Sequence, residues 1–218
     1  MEKEKLILLD IDETLFYGDS FLFIILFYLK KKPYKIIHLA VMFFYALAFI
    51  LKIVTNVKLK EIFLKIFEKE DKEYIENLSE EFVESLWSKR LNKKVFDKIS
   101  ELAQKGYKLI VISASPEFYI SKIGSRLNAF KTIATKTGYT ADQKFLPEII
   151  GQNCKGKEKI LRLNKEINTS DYDLQNSYAF SDSITDMPMF EIVGNRVAVN
   201  PETKLLKYAL NNKFEIIK

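Results

Sequence analysis

The fold of this chain is decided by the stretch Leu6-Ile7-Leu8-Leu9-Asp10-Ile11-Asp12-Glu13-Thr14-Leu15. Four aliphatic residues in a row that stop at an acidic cluster are typical of a buried strand. The carboxylates of Asp10 and Asp12 follow this strand directly and are two residues apart. We therefore expect a pair of acidic side chains at the carboxyl end of a buried strand.

The same pattern of an apolar run that ends in polar residues returns later in the chain. Residues 109–112 lead into a serine, and residues 178–180 lead into Ser181 and an acidic pair. Helical patterns alternate with these runs, which favours an α/β layer with a mainly parallel sheet. The carboxyl ends of the strands in such a sheet meet at one crevice. We expect five side chains to converge there: Asp10, Asp12, Ser113, Asp182 and Asp186.

The composition changes between the first two of these strands. Residues 21–66 are mostly aromatic and aliphatic, and residues 61–91 repeat apolar side chains at a spacing of three and four, which predicts an amphipathic helix. Later in the chain, Gly138 and Tyr139 predict a turn, so the segment to residue 150 is expected to form a hairpin or flap. The sequence therefore predicts an α/β core from residues 1–17 plus 93–218, interrupted by a strongly apolar, all-helical insert at residues 18–92.

The composition also excludes several classes of site. A single cysteine, Cys154, excludes a disulfide framework and a cysteine zinc cluster, and a single histidine, His38, excludes a His-rich metal site and disfavours a Ser-His-Asp triad. The net charge is +5, but only four of the 34 basic residues are arginines. Because sequence-specific DNA readers need arginine forks, we expect no nucleic-acid partner. Four apolar residues precede Asp10, fewer than the roughly 7–15 of a secretory signal, so the cytoplasm is the expected compartment.

The residue types at the predicted crevice suit phosphoryl chemistry. One carboxylate, Asp10, can attack phosphorus, and a second, Asp12, can protonate the leaving oxygen and then activate water. Asp182 and Asp186, together with Asp10, provide the hard oxygen ligands that Mg²⁺ prefers. Ser113 offers a hydroxyl to a phosphoryl oxygen, and a lysine at a helix start adds a positive charge.

Four motifs resemble those of the haloacid dehalogenase superfamily of phosphohydrolases, in the same order along the chain. The first matches the DxDxT signature, the second is a serine that ends a strand, the third carries a phosphate-binding lysine, and the fourth is an acidic pair spaced by three residues. They are Asp10-Ile11-Asp12-Glu13-Thr14, Ile112-Ser113-Ala114-Ser115-Pro116, Cys154-Lys155-Gly156-Lys157-Glu158-Lys159 and Ser181-Asp182-Ser183-Ile184-Thr185-Asp186.

The resemblance implies a Rossmann-like core with an inserted C1-type helical cap, as in subfamily IB, which contains phosphoserine phosphatase-like enzymes. It implies Mg²⁺-dependent hydrolysis of a phosphomonoester through an aspartyl-phosphate on Asp10, with Asp12 as the acid and base. Ser113 would hold the phosphoryl group together with a lysine. The metal ligands would be Asp10, the carbonyl of Asp12 and Asp182, with Asp186 in support. Transfer of the phosphoryl group to an alcohol shares this intermediate and stays open.

Two of the implied residues have alternatives. The spacing Cys-x-Gly-x-x-Lys favours Lys159 as the phosphate-binding lysine, with Lys155 and Lys157 as close alternatives. Phosphoserine enzymes of this family bind serine through an acidic residue soon after the first motif, a role that Asp19 could fill. They also use an arginine of the cap, and the insert has no arginine before Arg90, which counts against phosphoserine.

The apolar insert sets a second question about the protein's surroundings. Residues 21–29 are all apolar, and residues 36–54 are interrupted only by His38 and Lys52. A membrane-spanning hairpin is disfavoured, because its tip would carry the lysines of residues 30–35 away from the cytoplasm. The apolar residues then either form the core of the cap, with the excess buried in a homodimer, or lie on the anionic inner surface of the membrane.

The layout of this insert also resembles that of phosphatidylglycerophosphatase C-like members of the same subfamily. That resemblance implies a lipid-linked phosphomonoester as substrate. A small soluble phosphomonoester is the equal alternative. A non-catalytic, membrane-binding module on the same fold is the alternative from another class of protein.

Overall fold

The computed structural model describes residues 3–218 and centres on a six-stranded sheet. The strands and the β-hairpin are β1 (Leu6–Leu9), β2 (Lys108–Pro116), β3 (Lys131–Thr135), β4 (Thr137–Tyr139), β5 (Phe145–Ile149), β6 (Tyr178–Ser181), β7 (Asn195–Val199) and β8 (Glu215–Ile217). The strand order is β3-β2-β1-β6-β7-β8, and every pair in this sheet is parallel. This confirms the predicted α/β fold with a parallel sheet.

Nine α-helices are present in the described part of the chain. They are α1 (Ser20–Lys31), α2 (Ile37–Ile50), α3 (Asn56–Leu64), α4 (Lys72–Arg90), α5 (Lys93–Gln104), α6 (Glu117–Arg126), α7 (Lys157–Glu166), α8 (Met187–Glu191) and α9 (Thr203–Asn211). A short 3₁₀ segment, Pro33–Ile36, joins α1 to α2.

The strand order places the topological switch point at β1. The strands on its two sides, β2 and β6, come from separate parts of the chain, before and after the β4–β5 hairpin. Leu9 at the end of β1 pairs with Val111 of β2 and with Phe180 of β6. The polar residues that follow these three strands therefore emerge at the same edge of the sheet, which is where ligands bind in open parallel sheets.

The segment between β1 and β2 is helical and packs onto the sheet domain. Buried residues of α1 and α4 belong to the same apolar cluster as residues of β1, β2 and α6. Ser20 of α1 and Tyr119 of α6 share a hydrogen bond of 2.9 Å between their hydroxyl groups. Lys122 of α6 also pairs with Glu80 of α4 at 2.8 Å. The helical character of the insert agrees with the sequence analysis, and its boundaries at residues 18 and 92 stay a prediction.

One predicted helix is broken in the structure. Residues 61–91 form the end of α3, a 3₁₀ turn and α4, with Lys69 in the left-handed region at φ 65°. The backbone at the break pairs with the hairpin instead, because Phe145 donates to the carbonyl of Glu70 at 2.8 Å and Lys72 donates to that of Gln143 at 2.9 Å. A long-range partner that the helical spacing does not encode therefore ends the helix.

The expected hairpin is present, but its turn is displaced from the expected position. Gly138 and Tyr139 lie within β4 and pair with β5, and the chain reverses at residues 140–144. The turn uses Gln143 at φ 58° in place of a glycine. The last strand, β8, was not anticipated from the sequence.

Glu70 is the ionic centre of the helical segment. Its carboxylate accepts hydrogen bonds from the Tyr28 hydroxyl at 2.5 Å and from Lys32 at 2.6 Å, and Lys35 lies 3.5 Å away. Burial opposes ionisation, but the hydrogen bonds from Lys32 and Tyr28 hold the pKa of Glu70 below its usual value. The cluster ties the end of α1 to the break between α3 and α4.

We expect Glu70→Gln to lower the free energy of unfolding by about 1–3 kcal/mol, because buried donors lose a charged acceptor. The pKa of Glu70 is lower in the folded protein than the value of 4.5 expected for the unfolded chain, so ionised Glu70 stabilises the fold at pH values above 4.5. This stabilisation is lost as the pH falls below 4.5 and through the pKa of the folded protein. Urea unfolding from pH 3 to 8 measures both effects. Glu68→Gln, at an exposed position two residues earlier, is the matched control. Equal losses in the two variants would contradict the assigned role of Glu70.

Candidate active site

A cleft of about 300 Å³ opens at the carboxyl edge of the sheet. Its walls come from the loops after β1, β2 and β6 and from the start of α7. The residues that line it are Asp10, Asp12, Glu13, Asp19, Ala114, Lys155, Lys159, Asp182, Ser183, Thr185 and Asp186. Of the site residues predicted from the sequence, all but Ser113 therefore line one cleft.

A buried lysine stands at the centre of this cleft. Lys159, in the first turn of α7, is 2% exposed, and its Nζ lies 2.6 Å from Asp10 Oδ1 and 2.7 Å from Asp186 Oδ2. Burial opposes the positive charge, but the two carboxylates raise the pKa of Lys159 above its usual value. Of the three lysines that the sequence left open, Lys155 is exposed at the cleft wall and Lys157 is exposed outside it.

The carboxylate of Asp186 accepts hydrogen bonds from neighbouring side chains of the protein. Its Oδ2 accepts hydrogen bonds from Lys159 and, at 2.6 Å, from the hydroxyl of Ser181 at the end of β6. Since the side chain is 3% exposed, these partners fix it behind Lys159. In this arrangement Asp186 holds Lys159 in position and is less accessible to a metal ion than an exposed carboxylate.

The negative charge of the cleft exceeds what one lysine compensates. Burial raises the pKa of Asp10 to about 8, and the Asp186, Asp182 and Asp12 carboxylates add to this rise against the opposing effect of Lys159. Burial likewise raises the pKa of Asp182 to about 7, with Asp186 as a further contributor. A cleft in which carboxylates hinder one another's ionisation favours binding of an additional cation.

The carboxylate of Asp12 is oriented from two sides. The backbone N–H of Ser20, the first residue of α1, donates to Oδ1 at 2.7 Å, and the hydroxyl of Ser115 donates to Oδ2 at 2.5 Å. Both bonds hold the side chain in one direction, because they come from different elements. The contact with Ser115 was not anticipated from the sequence, which placed this serine in the second motif but gave a role only to Ser113.

Ser113 lies behind the cleft lining, whereas Asp19 lies in it. Ser113 is fully buried at the end of β2, where its hydroxyl accepts from the backbone N–H of Ser115 at 3.0 Å. Asp19 lines the cleft, but its carboxylate also caps α1 by accepting from the N–H of Leu22 at 3.0 Å. Desolvation in the cleft, followed by the nearby Asp12 carboxylate, raises the pKa of Asp19.

The donor set fits a hard divalent cation such as Mg²⁺. Among residues 3–218, no group of three His, Cys, Asp or Glu side chains forms a ready cage for a metal ion. Mg²⁺ does not need such a cage, since it is usually held by one or two carboxylates together with waters and substrate phosphate. Asp10 and Asp182 face the same cleft with raised pKa values, so a cation between them would relieve their repulsion.

A lysine of the helical segment also reaches the cleft region. Lys60 of α3 places its Nζ 2.6 Å from the carbonyl oxygen of Ala114 and 2.8 Å from Asn153 Oδ1. The sequence analysis missed this residue. Lys60 has no motif around it, and the helical spacing of α3 does not distinguish it from the many other lysines.

Comparisons with known proteins agree with this geometry. The family model for haloacid dehalogenase-like hydrolases matches residues 7–191. A probable phosphatase from Mycobacterium tuberculosis is 36% identical over 104 residues, which is 48% of this chain and 36% of that protein. An inhibition of morphological differentiation protein from Streptomyces azureus is 31% identical over 127 residues, 56% of this chain and 46% of that protein. This chain thus spans less than half the length of these two relatives.

Solved structures share the fold. A protein of unknown function from Bordetella pertussis Tohama I superposes with a TM-score of 0.85 at 21% identity, over 99% of each chain. A probable phosphoserine phosphatase from Vibrio cholerae superposes with a TM-score of 0.70 at 15% identity, over 93% of this chain and 58% of that one. The Bordetella match includes the helical segment as well as the sheet.

We expect Lys159→Met to destabilise the fold by about 3–5 kcal/mol, because it leaves two buried carboxylates without their cation. Lys157→Met removes the same charge from the same helix at an exposed position and is the matched control. The free energy of unfolding in urea at pH 7 measures the difference. Equal stability of the two variants would show that Lys159 does not compensate Asp10 and Asp186.

Proposed function

The chain belongs to the haloacid dehalogenase-like hydrolase family, and we propose on that basis that it is a Mg²⁺-dependent phosphatase. It would hydrolyse a phosphomonoester through an aspartyl-phosphate on Asp10. The observation that carries this proposal is the contact of Asp10 with the buried Lys159, in a cleft that Asp12 also lines. This arrangement provides a nucleophile, a cation and a second carboxylate within one small volume.

The reaction proceeds in two displacements. A carboxylate oxygen of Asp10 bonds to phosphorus, the bond from phosphorus to the ester oxygen breaks, and Asp12 gives that oxygen a proton. Asp12 then takes a proton from water, whose oxygen attacks the aspartyl-phosphate and releases inorganic phosphate. Asp10 is regenerated as a carboxylate, and the proton count closes over the two steps.

Several residues of the cleft support these steps. Lys159 orients Asp10 through one carboxylate oxygen and offers positive charge to the phosphoryl group. Ser113 would bind a phosphoryl oxygen once its hydroxyl turns from the N–H of Ser115 toward the cleft. Asp10, the Asp12 carbonyl and Asp182 would hold Mg²⁺, which supplies charge neutralisation for the phosphoryl group. Asp186 keeps Lys159 in place.

The helical segment favours a substrate other than phosphoserine. Arg90 lies 4.6 Å from the centre of the Phe23 ring, in a groove between α1 and α4, and is not among the residues that line the catalytic cleft. The cleft lining therefore lacks an arginine for a serine carboxylate. A small phosphomonoester of another kind and a lipid-linked phosphomonoester both stay as substrates.

An exposed apolar surface favours the lipid-linked substrate. We call residues 34–53 the apolar segment, and only Met42 of α2 is buried. Eleven large apolar side chains of this segment are exposed: Tyr34, Ile36, Ile37, Val41, Phe43, Phe44, Leu47, Phe49, Ile50, Leu51 and Ile53. So many exposed large apolar side chains in one segment are unusual for a soluble protein, and large exposed apolar patches mark sites of interaction.

The fold restricts how this segment can meet a membrane. Pro33–Ile50 is long and apolar enough to cross a bilayer by length and composition. The preceding helix, α1, is buried in the core through Ile24 and Tyr28, so it cannot form the second limb of a hairpin. A single crossing would separate Asp10 from Lys159, which lie in contact. The segment would therefore lie along the membrane surface.

Charge and shape favour a membrane over a second copy of the chain. At 100° per residue, the exposed side chains of α2 span about 260° of its circumference, more than the stripe of roughly 100° that a helix usually buries against protein. Two exposed lysines lie near the ends of the segment, Lys30 before it and Lys52 close to its last residue. Anionic headgroups attract such residues while the acyl region takes the apolar face. We place the protein at the inner face of the cell membrane.

We expect Asp10→Asn to abolish Mg²⁺-dependent phosphate release without unfolding the protein, because the amide cannot attack phosphorus. The assay follows phosphate release from phosphoserine and from phosphatidylglycerophosphate in mixed micelles, and acid quenching traps the aspartyl-phosphate. Asp171→Asn, at an exposed position outside the cleft, is the control. Turnover by Asp10→Asn would contradict the mechanism. An added alcohol that becomes phosphorylated would identify phosphotransfer.

We expect the double variant Phe43→Ser, Phe44→Ser to lose at least about tenfold in affinity for vesicles that contain anionic lipid, because two exposed aromatic rings leave the acyl region. Co-sedimentation with phosphatidylglycerol vesicles measures this. Leu161→Ser with Leu210→Ser changes two exposed apolar residues elsewhere and is the control. The alternative outcome is a native protein that does not bind vesicles and forms a dimer that the double variant dissociates. That outcome would identify the apolar segment as a dimer interface.

A further inference from the structure

The helical segment reaches the catalytic edge of the sheet through one lysine. Lys60 extends from α3, and its Nζ donates to the carbonyl oxygen of Ala114 at 2.6 Å and to Asn153 Oδ1 at 2.8 Å. Ala114 belongs to the end of β2, and Asn153 belongs to the loop that leads into α7. Lys60 thus connects two walls of the cleft to α3, and α3 is itself part of neither wall.

The carbonyl oxygen of Ala114 and Asn153 Oδ1 need Lys60 as a hydrogen-bond donor, because Thr135 cannot donate to both. The hydroxyl of Thr135 lies 2.6 Å from the Ala114 carbonyl oxygen and 2.9 Å from Asn153 Oδ1, so both donors face the same two acceptors. Threonine carries a single hydroxyl hydrogen, whereas an ammonium carries three. Thr135 can satisfy only one acceptor at a time, and Lys60 supplies the other.

The carbonyl that Lys60 holds lies in an irregular part of β2. The pairing of β2 with β3 loses its regular register between Ile112 and Pro116. The ladder therefore does not fix the backbone of residues 113–115 by itself. This stretch carries Ser113, and it also carries Ser115, whose hydroxyl donates to Asp12 at 2.5 Å.

The other acceptor, Asn153, is held by α3 from two positions. Its Nδ2 donates to Asn56 Oδ1, at the start of the helix, at 2.7 Å, while its Oδ1 accepts from Lys60. The following residue, Cys154, donates its N–H to Thr135 Oγ1 at 3.0 Å. The loop that sets the start of α7, and with it Lys159, is therefore fastened to the helical segment.

We propose that Lys60 is a positioning residue of the active site, which fixes residues 113–115 and the Asn153 loop when α3 lies against the sheet. The inference deepens the proposed function and rests on it. Lys60 acts through Ser115 on Asp12 and through the Asn153 loop on α7. The helical segment therefore completes the catalytic geometry.

The surroundings of Lys60 make this role sensitive to pH. Burial lowers the pKa of Lys60 to about 8, against the opposing effect of the Asp12 and Asp19 carboxylates. Lys155 lowers it further, and Cys154 is the other titratable group nearby. Below this pH the ammonium is charged and donates strongly, and above it the charge is lost.

The test compares three variants by steady-state kinetics with p-nitrophenyl phosphate and Mg²⁺. Lys60→Met is expected to lower kcat by about 10–100-fold, the size of effect that a misplaced catalytic group produces, with less than about a threefold change in KM. Lys60→Arg is expected to recover most of kcat and to move the descending limb of the pH profile upward from pH 8, because arginine stays charged. Lys58→Met, on the exposed side of α3, is the control.

A double-mutant cycle and hydrogen exchange test the role of Lys60 independently of its effect on stability. If Lys60→Met lowers stability, Asn153→Ala and the double variant complete a cycle in which the losses of kcat are expected to be less than additive. Hydrogen exchange at residues 151–156 is expected to rise in Lys60→Met even without an active assay. Native kcat in Lys60→Met, or unchanged exchange, would overturn the proposal. An inactive native protein with raised exchange in Lys60→Met would instead overturn the phosphatase function alone.

Discussion

The structure depends on one buried cation at the switch point of a parallel sheet. Lys159 is nearly inaccessible to water, yet it lies in contact with Asp10 at the end of β1 and with Asp186 after β6. A buried charge is tolerated only when it is paired and hydrogen-bonded, so the lysine and its carboxylates constrain one another. Removing the lysine leaves two buried carboxylates without a cation, at a cost comparable to a large part of the stability of a small domain.

The close approach of carboxylates in the cleft also changes how readily they ionise. Burial and neighbouring carboxylates raise the pKa values of Asp10 and Asp182, which means that the cleft binds positive charge more readily than an open surface does. Perturbed titration of several groups in one cleft is characteristic of functional sites. The carboxylate of Asp12 accepts hydrogen bonds from the backbone N–H of Ser20 and from the hydroxyl of Ser115. Two acidic residues that are adjacent in the motif thereby receive different environments.

The sequence predicts the part of this arrangement that local patterns encode. Apolar runs that end in polar residues predict β1, β2 and β6, and the rule for parallel sheets then brings Asp10 and Asp182 to one edge. Spacing alone cannot choose among Lys155, Lys157 and Lys159, because the choice depends on which face of α7 meets the sheet. The break after α3 also escapes prediction, since its cause is pairing with residues 143 and 145, far along the chain. Lys60 escapes for the same reason, because its partners, Ala114 and Asn153, are 54 and 93 residues away.

The apolar segment and the active site are linked through the packing of the helices. α2 packs against α3, and α3 carries both Lys60 and Asn56, which hold the walls of the cleft. α1, in contrast, is fixed in the core and anchors the segment at its other end. α3 therefore lies between the exposed apolar surface of α2 and the walls of the cleft. The exposed apolar residues and Lys60 therefore belong to one continuous part of the fold, which the contacts of Lys60 and Asn56 join to the walls of the cleft.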